Sequence, residues 1–141
     1  LRLPPDRDEL AALSASALAG AGLAPRRASA LTRVARTLDL EALHAHPTDA
    51  VVRRICREPQ LGPWSAGVIV TDGLGRHDAG PVGDLGLIRL AEIVLGRPAT
   101  PQDTADMLKP YGEWAGLAGA YLLAHPALSA AGPARPATGV A

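Results

Sequence analysis

Apolar residues recur along most of this chain at intervals of three and four, the spacing of one face of a helix. The pattern is clearest between Pro25 and Leu38. There Ala28, Leu31, Val34, Ala35 and Leu38 fall on one side and the arginines mostly on the other. Helices are predicted over 6–13, 15–19, 25–38, 49–57, 64–71, 85–95, 101–108 and 113–125, with a short turn at 40–44 capped by Asp39. Their ends carry the usual signals: Ser14 and Thr100 as N-caps, Pro25 and Pro101 in a first turn, Gly20 or Gly22 after a last one. Val51, Val52 and Ile55 are expected to face inward. So are Leu87, Ile88, Ala91, Ile93, Val94 and Leu95 further on. The stretch from Trp64 is apolar nearly all round and reads as a buried helix, and Trp114 reads as core filling.

Composition strengthens this all-α reading. Ala, Leu and Arg dominate, Phe is absent and aromatics are 3% of 141 residues, which gives strands little material. An apolar share of 48% suits a folded chain large enough for its own core. No repeat and no internal boundary appears before about residue 125. Residues 126–141 are rich in Pro, Ala and Gly and are expected to lose order. The chain opens at Leu1 and enters helical pattern almost at once, so it reads as the C-terminal piece of something longer.

Formal net charge is zero, so no global field draws in a polyanion. Charge is nevertheless uneven. Arg26, Arg27, Arg33 and Arg36 cluster, as do Arg53, Arg54 and Arg57; each cluster alone reads as a solvated helix face. One cysteine, Cys56, excludes an internal disulfide, a four-cysteine iron–sulfur cluster and a cysteine-based zinc site. It suits a reducing cytoplasmic setting. His44, His46, His77 and His125 show no metal-binding spacing and read as surface or packing residues. No apolar run of membrane-spanning length occurs, so no membrane partner is expected.

Two features between residues 55 and 90 call for chemistry. Residues 58–63 read Glu-Pro-Gln-Leu-Gly-Pro between two helices, a helix-hairpin-helix pattern. Such a turn leaves backbone N–H groups of Gln60, Gly62 and the next helix start free, and neutral donors of that kind suit a phosphate oxygen. The second feature is Asp84, flanked by Gly83 and Leu85-Gly86 at a predicted N-cap. Asp is a preferred cap, and capping alone would account for it. The functional reading is a carboxylate projecting into a cleft beside the hairpin, able to stabilise a cationic sugar or orient water.

Taken together, the hairpin and an aspartate about twenty residues beyond it resemble the helix-hairpin-helix (HhH-GPD) DNA glycosylase superfamily. The segment 58–66 is similar to the Leu-Pro-Gly-Ile-Gly-Pro-Trp-Thr-Ala hairpin of its DNA-3-methyladenine glycosylase II branch. The segment 84–89 is similar to that branch's Asp-Leu-Gly-Leu-Arg-Arg. The likeness extends over most of residues 1–125 and implies a glycosylase-type helical bundle. It implies that Asp84 is the catalytic carboxylate, that Gln60, Gly62 and Ser65 offer amides to the DNA backbone, and that Trp64 lies in the base pocket. Backbone carbonyls of Cys56, Glu58 and Gln60 would hold a monovalent cation, with no other cofactor. Trp64 occupies the position where bifunctional relatives carry a Schiff-base lysine. The chain's one lysine, Lys109, lies far downstream, which favours water as acceptor.

The expectation is therefore a monofunctional glycosylase. It would excise alkylated purines of the 3-methyladenine type from double-stranded DNA in base excision repair, as a monomer in the bacterial cytoplasm near the nucleoid. Four departures stand out. Gln60 replaces the glycine that normally relieves the turn. Glu58 puts a negative charge where DNA approaches. Val68 and Leu123 are aliphatic where some relatives carry pocket aromatics. The family's early helices, with the loop that wedges into the duplex, are not found. The alternatives are a non-catalytic helix-hairpin-helix DNA-binding module and a helical interaction domain with no nucleic acid.

Overall fold

The computed structural model describes residues 4–124. The expected tail at 126–141 and His125 lie outside the described residues. Among those described there is no β-strand. The helices are α1 (Arg7–Ala12), α2 (Ala15–Gly20), α3 (Pro25–Thr37), α4 (Thr48–Cys56), α5 (Pro63–Val68), α6 (Leu85–Leu95), α7 (Pro101–Leu108) and α8 (Ala115–Leu123). Two 3-10 turns, Ala42–Ala45 and Lys109–Trp114, and one π-helical turn, Ile69–Gly73, complete the set.

Ser14 and Thr100 are N-caps as expected, and Asp6, expected inside the first helix, is a third. Asp6 and Glu9 form a capping box on α1, Ser14 accepts from the Ala17 amide, and Thr100 with Asp103 forms a second box on α7. Arg97 reinforces that box. Its guanidinium, followed by the Thr100 amide and hydroxyl, holds the Asp103 carboxyl well below the usual carboxylate range.

α1 and α2 pack across α3. The arginines of α3 are not merely a solvated face, as the sequence had suggested. Arg36 donates to the carbonyls of Ala11 (2.8 Å) and Leu13 (3.2 Å), closing the frayed end of α1. Arg33 reaches the hairpin, described below.

The core forms two clusters. The first joins Leu38, at the end of α3, and Leu43, in the first 3-10 turn, with Val51, Ile55, Ala66 and Val70 from α4, α5 and the π-helical turn. The second centres on Leu87, Leu108 and Ala115 from α6, α7 and α8. Ile55, Leu87, Val51 and Val70 are wholly enclosed, each contributing about 1.5–3 kcal/mol of transfer free energy. Between the clusters runs segment 79–81, which passes so close to α5 and α8 that only glycine fits at the crossings. A Cβ on Gly67 would strike the Gly80 backbone, and one on Gly116 would come within 2.7 Å of the Ala79 carbonyl oxygen.

Several expected core residues lie outside. Ile93, Val94 and Leu95 are exposed, because α6 runs past the elements that cover its first half. Trp114 is 55% exposed. The last helix starts two residues later than expected, because Gly112 (φ 53°, ψ −122°) breaks the chain before it and leaves Trp114 in a 3-10 turn. Trp64 also departs from the buried helix expected of it, being 48% exposed.

Candidate active site

The hairpin is built from the end of α4, the turn 57–62 and α5. The Arg57 and Glu58 amides fold back onto the carbonyls of Arg54 and Ile55, and the Leu61 amide donates to the Glu58 carbonyl at 3.0 Å. Gln60 takes a positive φ of 77°, the one non-glycine residue among those described to do so. The departure noted at this position is thus a real backbone strain. Gly62 caps α5 in an extended conformation without any side-chain partner. Among the described residues, the amides of Gln60, Gly62 and Ser65 have no hydrogen-bond acceptor within the chain. These are the orphan donors of a turn and a helix start.

Glu58 does not present its charge to an approaching polyanion. Its side chain is turned inward, and the residue is 8% exposed. Oε1 meets the Arg54 guanidinium at 2.6 Å, and Oε2 lies 3.7 Å from Arg33 Nε. That Nε is buried and without a hydrogen-bond partner, while another Arg33 nitrogen donates to the Pro59 carbonyl. Two guanidinium groups therefore surround one carboxylate, and the base of the hairpin is net positive.

Asp84 caps α6, as the sequence implied, and does more. Its Oδ1 accepts the Gly86 amide at 2.8 Å. Its Oδ2 accepts the indole N–H of Trp64, also at 2.8 Å. The loop before it is held from outside. The buried Thr104 hydroxyl accepts the Gly83 amide (2.8 Å) and donates to the Pro101 carbonyl (2.6 Å), tying α7 to the residue beside Asp84. Gly83 needs its positive φ of 81° to make this turn.

Asp84 lines a cleft of about 250 Å³. α5 contributes Trp64 and Val68 to it, and the π-helical turn contributes Thr71 and Asp72. The opposite wall is Pro81 with Gly116, Ala120 and Leu123 of α8. Of the expected site residues the structure thus brings together Trp64 and Asp84. Gln60, Gly62 and Ser65 stand on the adjoining turn, and Cys56 and Glu58 at its base. Thr71 and Asp72 also line the cleft, and neither is among the residues expected there. Both follow Trp64 and Val68 at the spacing of one helix face, and both lie in the π-helical turn Ile69–Gly73, a kind of turn often found at functional sites. A larger hollow of about 390 Å³ lies between α3 and α4, lined by Leu38, Asp39, Leu43 and Arg54 among others. It touches neither Asp84 nor the orphan amides, so size does not make it the better candidate.

Comparison with known proteins adds to the geometry. No family model matches the chain. A 41-residue stretch, 29% of the chain, is 58% identical to the probable bifunctional transcriptional activator/DNA repair enzyme AlkA of Mycobacterium tuberculosis, in both strain CDC 1551 / Oshkosh and strain ATCC 25618 / H37Rv. That stretch spans 8% of those relatives. The fold is similar to that of the 3-methyladenine DNA-glycosylase from Archaeoglobus fulgidus, with a TM-score of 0.74 at 19% identity. The superposition takes in 89% of this chain and 44% of the neighbour, less than half of its length. Over 89% of its length, then, the chain carries an all-α fold like that of a 3-methyladenine DNA-glycosylase.

Proposed function

We propose that this chain is the catalytic part of a monofunctional DNA glycosylase that hydrolyses the N-glycosidic bond of alkylated purines in duplex DNA. The observation that carries the reading is the Asp84 carboxylate, held in a 250 Å³ cleft next to a turn with free amide donors. An extruded base would enter the cleft, since a stacked base is out of reach of any side chain. N-alkylation makes a purine cationic and its glycosidic bond weak, so the leaving group needs little acid help. Asp84 then stabilises the positive charge that develops on the sugar and steers water to the anomeric carbon. Trp64 stands where a Schiff-base lysine would otherwise be, which suits water as the nucleophile. The amides of Gln60, Gly62 and Ser65 would hold the DNA backbone. The carbonyls of Cys56, Glu58 and Gln60 offer the neutral oxygens a hard monovalent cation prefers. The Glu58 carbonyl keeps one lone pair free after accepting the Leu61 amide.

The test is abasic-site formation on methylated duplex DNA by the full chain and by Asp84→Asn. The substitution is expected to lower the rate by about 10²–10³-fold while duplex binding persists. Salt-dependent binding without activity from either protein would mark a DNA-binding module instead. Absence of salt-dependent binding would mark an interaction domain.

A further inference from the structure

The Gly86 amide is the ordinary partner of a capping aspartate, and it engages Oδ1 alone. A carboxylate held at one oxygen still swings about Cβ–Cγ, whose torsional preference is broad. Oδ2 meets a donor that no cap requires, the Trp64 indole N–H at 2.8 Å. Trp64 is the second residue of α5, directly after the hairpin turn, so the bond spans 20 residues and joins α5 to the start of α6. The residue is 48% exposed, so core packing does not account for a tryptophan here. Among the described residues no ion pair includes Asp84. Its fixed polar contacts are these two N–H groups.

We propose that Trp64 is a positioning residue, whose indole N–H sets the plane of the Asp84 carboxylate and locks it to the hairpin. The inference rests on the glycosylase reading and adds a second role to a residue of the cleft wall. Its mechanical sense is that a backbone gripped at the turn and the acid below it would move as one body. With the N–H absent, Asp84 keeps its place in sequence and its cap but loses its heading toward the anomeric carbon.

The effect belongs in turnover rather than in binding. Replacing Trp64 in the full chain by benzothienylalanine keeps the ring shape and exchanges the N–H for sulfur. This is expected to lower kcat roughly tenfold to a hundredfold, the worth of a hydrogen bond to a charged acceptor. KM for methylated duplex is expected to stay within about twofold, because ground-state contacts are kept. Trp64→Phe is expected to follow the isostere in kcat. A fall in KM affinity with kcat intact would overturn the proposal, as would native kcat from the isostere. A second measurement needs no catalysis. The chain has two tryptophans, so a ¹⁵N-labelled sample gives two indole N–H signals. In Asp84→Ala the Trp64 signal is expected to move upfield and exchange faster with water, while that of Trp114 stays. If neither signal moves, the contact is absent and the proposal fails. If the signal moves but the native chain releases no base, the lock stands and the glycosylase reading falls. If Asp84→Asn is inactive and the isostere is fully active, the glycosylase reading stands and the lock falls.

Discussion

Gln60 holds a left-handed backbone conformation at φ 77°, in a turn where glycine would do so freely. A side chain there costs about 1–2 kcal/mol, part of which glycine would forfeit through its greater freedom when unfolded. Gln60→Gly is accordingly expected to stabilise the chain by about 1 kcal/mol, a rise of roughly 3–6 °C in thermal midpoint. Scanning calorimetry of the two proteins checks it. The strain was legible through the resemblance, whose hairpin carries glycine where this chain has Gln60. Asp84 was legible too, as a cap of α6 and as an acid with an open side. The place of Trp64 beside the cleft was legible through the resemblance, but its bond to Asp84 was not. A run of residues apolar on every side announces burial, and periodicity alone does not tell which side stays exposed. The same ambiguity hid Trp114, whose exposure follows from the break at Gly112.

At the scale of the element, the hairpin is braced by one buried carboxylate between two guanidinium groups. Glu58→Gln leaves Arg54 and Arg33 without their counter-charge. Both arginines are about a third exposed, so the loss is smaller than for a fully enclosed pair, at about 1–2 kcal/mol. A lower urea midpoint with an unchanged slope is the expected result. Read along the chain, Glu58 stands beside the turn and looks like a charge facing outward. Only the fold brings Arg33, 25 residues earlier, to its side. Element limits fared better than element faces. α6 spans Leu85–Leu95 as expected, and its limits are local: Asp84 caps its start and Gly96, in a left-handed conformation, ends it. The exposure of Ile93, Val94 and Leu95 is not local, since it depends on how far the neighbouring helices extend.

At the scale of the whole molecule, two core clusters meet along segment 79–81, and the cleft opens at that seam. One wall comes from α5 and the turn after it, the other from α8 and the loop that carries Asp84. The seam closes only because Gly67 and Gly116 let backbone meet backbone. Gly67→Ala puts a methyl group against the Gly80 peptide, which no rotamer change relieves. The expected cost is about 2–3 kcal/mol, seen as a lower midpoint in denaturant, and the cleft should be spread with it.

The π-helical turn gives that seam its asymmetry. Val70 is enclosed on one side of it while Thr71 and Asp72 line the cavity on the other, so one short rod serves as girder and as panelling. The cavity's chemistry can therefore be altered at the exposed Asp72 without redrawing the bundle that carries it.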